Sequence, residues 1–134
     1  MAINRILLDT SGYSQFMRGH SGIVPSIQSA DEIVMSPIVL GELYSGFLKG
    51  NHRLKNEQEL VAFLASPRVN CVQIDEETAK RYSVILNRLL KEGNPIPTND
   101  LWIASSAMQY GLTILTFDLH FLKIRETLVS HFEV

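Results

Sequence analysis

The chain has 134 residues, 46% of them hydrophobic and 19% charged, which suits one compact core and excludes a disordered polar arm. Twelve Lys and Arg against fourteen Asp and Glu give a formal charge of −2, so the basic excess that marks many nucleic-acid binders is absent. The single cysteine, Cys71, excludes an internal disulfide and a cysteine zinc site. With no signal-peptide pattern and no apolar run of bilayer length, the expectation is a cytoplasmic protein without a membrane segment, organised as one domain over residues 1–134.

The apolar run Ile3–Leu8 stops at Asp9-Thr10-Ser11-Gly12, which predicts a buried strand with Asp9 at its carboxyl end. Residues 13–30 predict two short helices broken near Gly19-His20-Ser21-Gly22. Glu32–Met35 predicts a second strand, and Ser36-Pro37 then starts a helix towards Gly50, with Glu42 inside it. A further helix is expected from about Asn51 to Ala65, ahead of Pro67. Val69–Ile74 alternates like a strand, with Cys71 near its middle as a small buried hydrophobe. Asp75 is suited to cap a long helix carrying Ala79, Tyr82, Leu86 and Leu89 or Leu90, ended by Gly93.

After the stiff loop Pro95-Ile96-Pro97, Thr98 is a cap for a helix over Asn99–Tyr110 closed by Gly111, which puts Asp100 in the first turn. Leu112–Thr116 predicts a fourth strand with Phe117-Asp118 just beyond it. A helical turn around His120–Ile124 and a last strand over about Leu128–Phe132 follow. Strands alternating with helices call for the α/β class: a three-layer α/β/α domain around a mainly parallel sheet of about five strands.

In such a sheet, ligands bind beyond the carboxyl ends of the strands, where Asp9 and Asp118 fall. Asp100, at a helix start, belongs to the same edge, and Glu42 lies about two turns into its helix, within reach of that rim. Clustered carboxylates repel unless a cation compensates them, and hard oxygen donors suit Mg²⁺ or Mn²⁺. Such an ion can activate water and neutralise a phosphodiester during in-line displacement. Taken singly, each acid also fits a plain role as a helix cap, a turn residue or an exposed helix residue. Thr116 equally fits a pleated strand. The four histidines, His20, His52, His120 and His131, show no ligand spacing with one another and are expected to be solvated or locally bonded.

Four segments in order, Leu7-Leu8-Asp9-Thr10-Ser11, Val39-Leu40-Gly41-Glu42-Leu43, Asn99-Asp100-Leu101-Trp102-Ile103-Ala104 and Thr116-Phe117-Asp118, resemble the PIN-domain family across essentially the whole chain. The size is similar to that of its VapC-type toxins from toxin-antitoxin pairs. The resemblance implies a Mg²⁺- or Mn²⁺-dependent endoribonuclease whose acidic quartet matches Asp9, Glu42, Asp100 and Asp118. It implies that Asp9, Asp100 and Asp118 hold the metal directly or through water. Glu42 would orient the attacking water or support a second ion, and Thr116, with Thr10 or Ser11, would position water or phosphate. It also implies RNA as substrate, a homodimer built from helices and a cognate antitoxin.

Three other readings remain open at this level. A phosphatase of the haloacid-dehalogenase type needs a second Asp where Ser11 stands. A receiver-type signalling module needs a phosphoacceptor Asp after the third strand, where Asp75 stands, and a late Lys, but no adjacent acidic pair follows the first strand and Lys123 lies beyond Asp118. A PIN-like binding module without catalysis would need no intact quartet. Removing four of the fourteen acids leaves ten against twelve basic residues, so the rest of the surface tolerates RNA. Arg18, Lys49, His52, Arg53 and Lys55 are placed for phosphate contacts. The long helix carries Tyr82, Ile85, Leu86 and Leu89 as candidates for a dimer face. Tyr13, Phe16, Met17, Tyr44, Phe47 and Leu48 are candidates for an antitoxin groove.

Overall fold

Strand β1 (Arg5–Leu8) buries Ile6, Leu7 and Leu8 alike, so both faces of the sheet are covered there, as a continuous apolar run requires. The computed structural model describes residues 4–134, and Ile3, the expected start of this strand, lies outside them. Helices α1 (Thr10–Met17) and α2 (Ile23–Gln28) lead to β2 (Glu32–Met35), and α3 (Pro37–Lys49) and α4 (Arg53–Leu64) lead to β3 (Val69–Cys71). The long α5 (Glu76–Lys91) and α6 (Thr98–Tyr110) then precede β4 (Thr113–Thr116), a 3₁₀ turn over Leu119–Lys123 and β5 (Val129–His131).

The five strands pair in parallel in the order β3-β2-β1-β4-β5. From β1 the chain grows outward through β2 and β3, then returns to the other side of β1 with β4. The gap between the carboxyl ends of β1 and β4 is therefore the point where strand order reverses, the natural crevice of an open α/β sheet. Leu8 stands opposite Leu115, which sets Asp9 beside Thr116 at that point.

Local chemistry accounts for the helices that frame it. Ser36 accepts from the amide of Ile38 at 3.1 Å while Pro37 occupies the first turn, so α3 starts abruptly and carries Glu42. Asp75 and Thr78 form a reciprocal capping box on α5. Helix α6 is buried from Asp100 through Ala107 except at the half-buried Trp102, and its small residues allow close packing. The hydroxyls of Ser105 and Ser106 are satisfied by the carbonyls of Leu101 and Trp102, one turn back. Gly111, left-handed at φ 66°, closes α6.

Three expectations are corrected. Pairing in β3 stops at Cys71 instead of running to Ile74, because β2, its neighbour in the sheet, ends at Met35. Cys71 is thus on an exposed edge and not in the core. Pro97, and not Thr98, occupies the capping position of α6, and no side chain caps that end. Among the described residues no helix is long and apolar enough to cross a membrane.

Candidate active site

Asp9 caps α1 and is almost wholly buried, with one carboxylate oxygen accepting from the amide of Gly12 at 2.7 Å. Gly12 cannot be larger: a Cβ there would lie 2.8 Å from the Leu115 carbonyl oxygen and from Leu8 Cδ1. The other Asp9 oxygen accepts from the Thr116 hydroxyl at 2.5 Å, and the Ser11 hydroxyl donates to the same carboxylate at 2.9 Å. Thr116 also accepts from the amide of Asp118 at 2.9 Å, and Ser11 from the amide of Phe117 at 2.9 Å. Two hydroxyls therefore clasp the end of β1 to the end of β4.

Asp118 caps the 3₁₀ turn through the amide of His120 at 2.9 Å. Asp100, in the first turn of α6, faces it. His120 Nδ1 lies 3.0 Å from Asp100 Oδ2 and 3.1 Å from Asp118 Oδ1, and one donor atom from each of these three residues lies within 4.8 Å of the others. Glu42 approaches from α3, accepting from the Thr10 hydroxyl at 2.6 Å and from Asn99 Nδ2 at 3.3 Å.

Burial pushes the Asp9 carboxyl up from its ordinary 3.8 to about 6, against the lowering effect of Thr116, Gly12 and Ser11; the charge of Asp118 adds to the rise. Burial also raises Asp100, helped by the charges of Asp118 and Glu42 and opposed by His120. These interactions link all four acids electrically. Among the described residues none of the four pairs with Lys or Arg. The donors are carboxylates and hydroxyls with one imidazole and no thiolate, a set that fits a hard divalent ion such as Mg²⁺ or Mn²⁺.

All five residues singled out in the sequence, Asp9, Glu42, Asp100, Thr116 and Asp118, fall on this rim. The tight donor group, however, comprises Asp100, Asp118 and His120, with Asp9 joined through Thr116 and Glu42 held by Thr10 and Asn99. His120 and Asn99 carry no signal from the spacing among histidines. The usable signals are the Asp-x-His pattern at 118–120 and the Asn beside Asp100.

Residues 6–127 match the family described as PIN domain. The chain belongs to the PIN domain family. Ribonuclease VapC1 of Haemophilus influenzae strain R2866 is 31% identical over 118 residues, covering 84% of this chain and 86% of that protein. Ribonuclease VapC4 of Mycobacterium tuberculosis is 28% identical over 118 residues, covering 88% and 89%. Among solved structures, VapBC-1 of nontypeable H. influenzae superposes with a TM-score of 0.81 at 26% identity, covering 94% of this chain and 96% of that one.

Proposed function

We propose that this protein is a VapC-type endoribonuclease that hydrolyses RNA phosphodiester bonds with Mg²⁺ or Mn²⁺ at the β1–β4 crevice and is restrained by a cognate antitoxin. The observation that carries this reading is the convergence, in a PIN domain, of four acids, none of them paired with Lys or Arg among the described residues, at the point where strand order reverses. When bound, the divalent ion supplies charge neutralisation at phosphate and a lowered pKa for water.

Asp9, Asp100 and Asp118 are the residues that would hold the ion. Glu42, kept in place by Thr10 and Asn99, is set to orient a water or support a second ion. Thr116 and Ser11 fix Asp9 and the Asp118 backbone, so the acids are oriented before substrate arrives. Lys49 shares an open cleft of about 540 Å³ with Glu42 and Asn99, a path for the RNA backbone. Of the other basic residues, Arg53 is engaged by Glu57, while Arg18 and Lys55 line a separate cleft of about 320 Å³.

The antitoxin reading uses that second cleft. Met17, Tyr44 and Leu48 are exposed there or nearby and Phe16 and Phe47 are half-buried, whereas Tyr13 belongs to the core, edge-on to Phe63. A partner segment carrying apolar side chains would cover the exposed Met17, Tyr44 and Leu48, with polar groups facing Arg18, Lys55 and Glu59 in the cleft. For the homodimer, Ile85 and Leu89 are withdrawn from the expected face because both are fully buried, and Tyr82 stacks on Trp102. Val84 and Leu90 are the exposed apolar side chains left on α5.

The deciding experiment is cleavage of structured RNA by protein freed of any partner. Cutting that needs Mg²⁺ or Mn²⁺ and stops with EDTA is expected; cutting that survives EDTA overturns the reading. Light scattering that shows only monomer removes the dimer. Co-expression with neighbouring gene products that yields no inhibitory complex removes the antitoxin.

A further inference from the structure

We infer that His120 is a direct ligand of the divalent ion through Nδ1, which makes the site a mixed oxygen–nitrogen centre with a preference for Mn²⁺ over Mg²⁺. This rests on the metal-dependent reading above and sharpens it.

The imidazole does not sit beside the acids by chance of a long, free side chain. Phe121, buried in the core, anchors the 3₁₀ turn, and Asp118 caps that turn through the amide of His120, so residue 120 is held beside the acid two residues before it. Its ring then turns inward. Nδ1 lies 3.0 Å from Asp100 Oδ2 and 3.1 Å from Asp118 Oδ1, although the ring is almost half exposed and has solvent to face instead. Three lone-pair-bearing atoms from three side chains thus converge within 4.8 Å of one another. Such a convergence needs either an Nδ1–H that donates to the carboxylates or a metal ion in place of that hydrogen.

The donor types decide which metal benefits. Mg²⁺ demands oxygen ligands and retains its waters, so an imidazole adds little to its binding. Imidazole is a better ligand for transition ions than for Mg²⁺, and of the two ions that suit the carboxylates Mn²⁺ is the transition ion. The all-carboxylate part of the rim, with Asp9 beyond Thr116, still suits either ion. The nitrogen is what separates them.

The test uses Mn²⁺ alone on the purified full chain, without RNA, so that it does not depend on activity. Pulsed electron paramagnetic resonance of the Mn²⁺-loaded protein is expected to show modulation from a directly coordinated nitrogen. That signal should vanish in His120→Ala and His120→Gln. By calorimetry both variants should lose at least roughly tenfold in Mn²⁺ affinity, the lower end of what removing even an outer partner costs, and less than about twofold in Mg²⁺ affinity. Two substitutions at an exposed ring, checked by thermal melts, guard against misfolding. Mn²⁺ that binds and is weakened by Asp100→Asn, yet shows no nitrogen modulation, overturns the His120 assignment and leaves the carboxylate site standing. No Mn²⁺ binding at all overturns both.

Discussion

At the carboxyl rim, Asp9, Glu42, Asp100 and Asp118 meet with hydroxyls, amides and one imidazole around them, whereas on the flank of α5 two glutamates meet two arginines. There Arg88 grips Glu126 through two nitrogens at 2.5 and 2.9 Å, reaches Glu92 at 2.8 Å and donates to the Lys123 carbonyl at 2.9 Å. Arg125 holds the other oxygen of Glu92 at 3.2 Å. The proton affinities diverge accordingly. Arg88 draws Glu126 below the usual carboxylate range, while burial lifts Asp9 to about 6. Acids that serve the fold are paired with arginine by the fold; acids on the rim are oriented by it and, among the described residues, have no Lys or Arg partner. The rim therefore spends stability on a readiness to bind a cation, and the α5 flank does not.

The largest expected effect falls on catalysis at the rim. Asp9→Asn or Asp100→Asn should lower RNA cleavage by more than roughly 100-fold, exceeding what the loss of an outer partner costs at a metal site. Thr116→Val should lower it by about 10- to 100-fold, because the valine fits the strand but releases both Asp9 and the Asp118 amide. Initial rates on one RNA, with circular dichroism as a control for folding, measure both.

On the other flank, Glu126→Gln should leave cleavage unchanged and destabilise the protein by about 1–3 kcal/mol at neutral pH, the usual scale for hydrogen bonds to charged groups. Since Glu126 titrates below its ordinary 4.5 in the folded chain, this contribution is full above that value and fades as the pH falls through the folded one. Denaturant melts of both proteins at neutral and acid pH test the sign.

The smallest effect runs the opposite way. Asp9 binds its proton more tightly folded than unfolded, so metal-free stability from this group is full below 3.8 and is lost as pH rises through about 6. Metal-free Asp9→Asn should therefore be more stable than the parent at pH 7, by on the order of 1–2 kcal/mol once weakened hydrogen bonds are allowed for. A parent that melts higher than this variant without metal breaks the contrast.

The two flanks also differ in how far the sequence reveals them. The rim acids are legible because strand ends and helix starts are local signals: an apolar run stopping at Asp9, a Pro97 turn before Asp100, a strand stopping at Thr116. His120 is not legible from histidine spacing, since its partners are an acid two residues back and another brought in by α6. The α5 flank is equally hidden, because nothing near Arg88 announces Glu126, 38 residues on. Helix α5 shows the same limit. Its apolar repeat is plain, but only packing against α6 shows that Ile85 and Leu89 are core and Val84 and Leu90 are surface. Cys71 follows the alternation of its segment, yet β3 is an edge strand and Cys71 is exposed there.

The central claim is that the rim acids act and the flank acids only hold. The most direct measurement is cleavage of one structured RNA, in parallel, by the parent, Asp100→Asn and Glu126→Gln with Mn²⁺ and with EDTA. This division of roles predicts cutting by the parent and by Glu126→Gln in Mn²⁺ alone, and none by a folded Asp100→Asn under either condition. Cutting by Asp100→Asn at the parent's rate, or by the parent in EDTA, would contradict it.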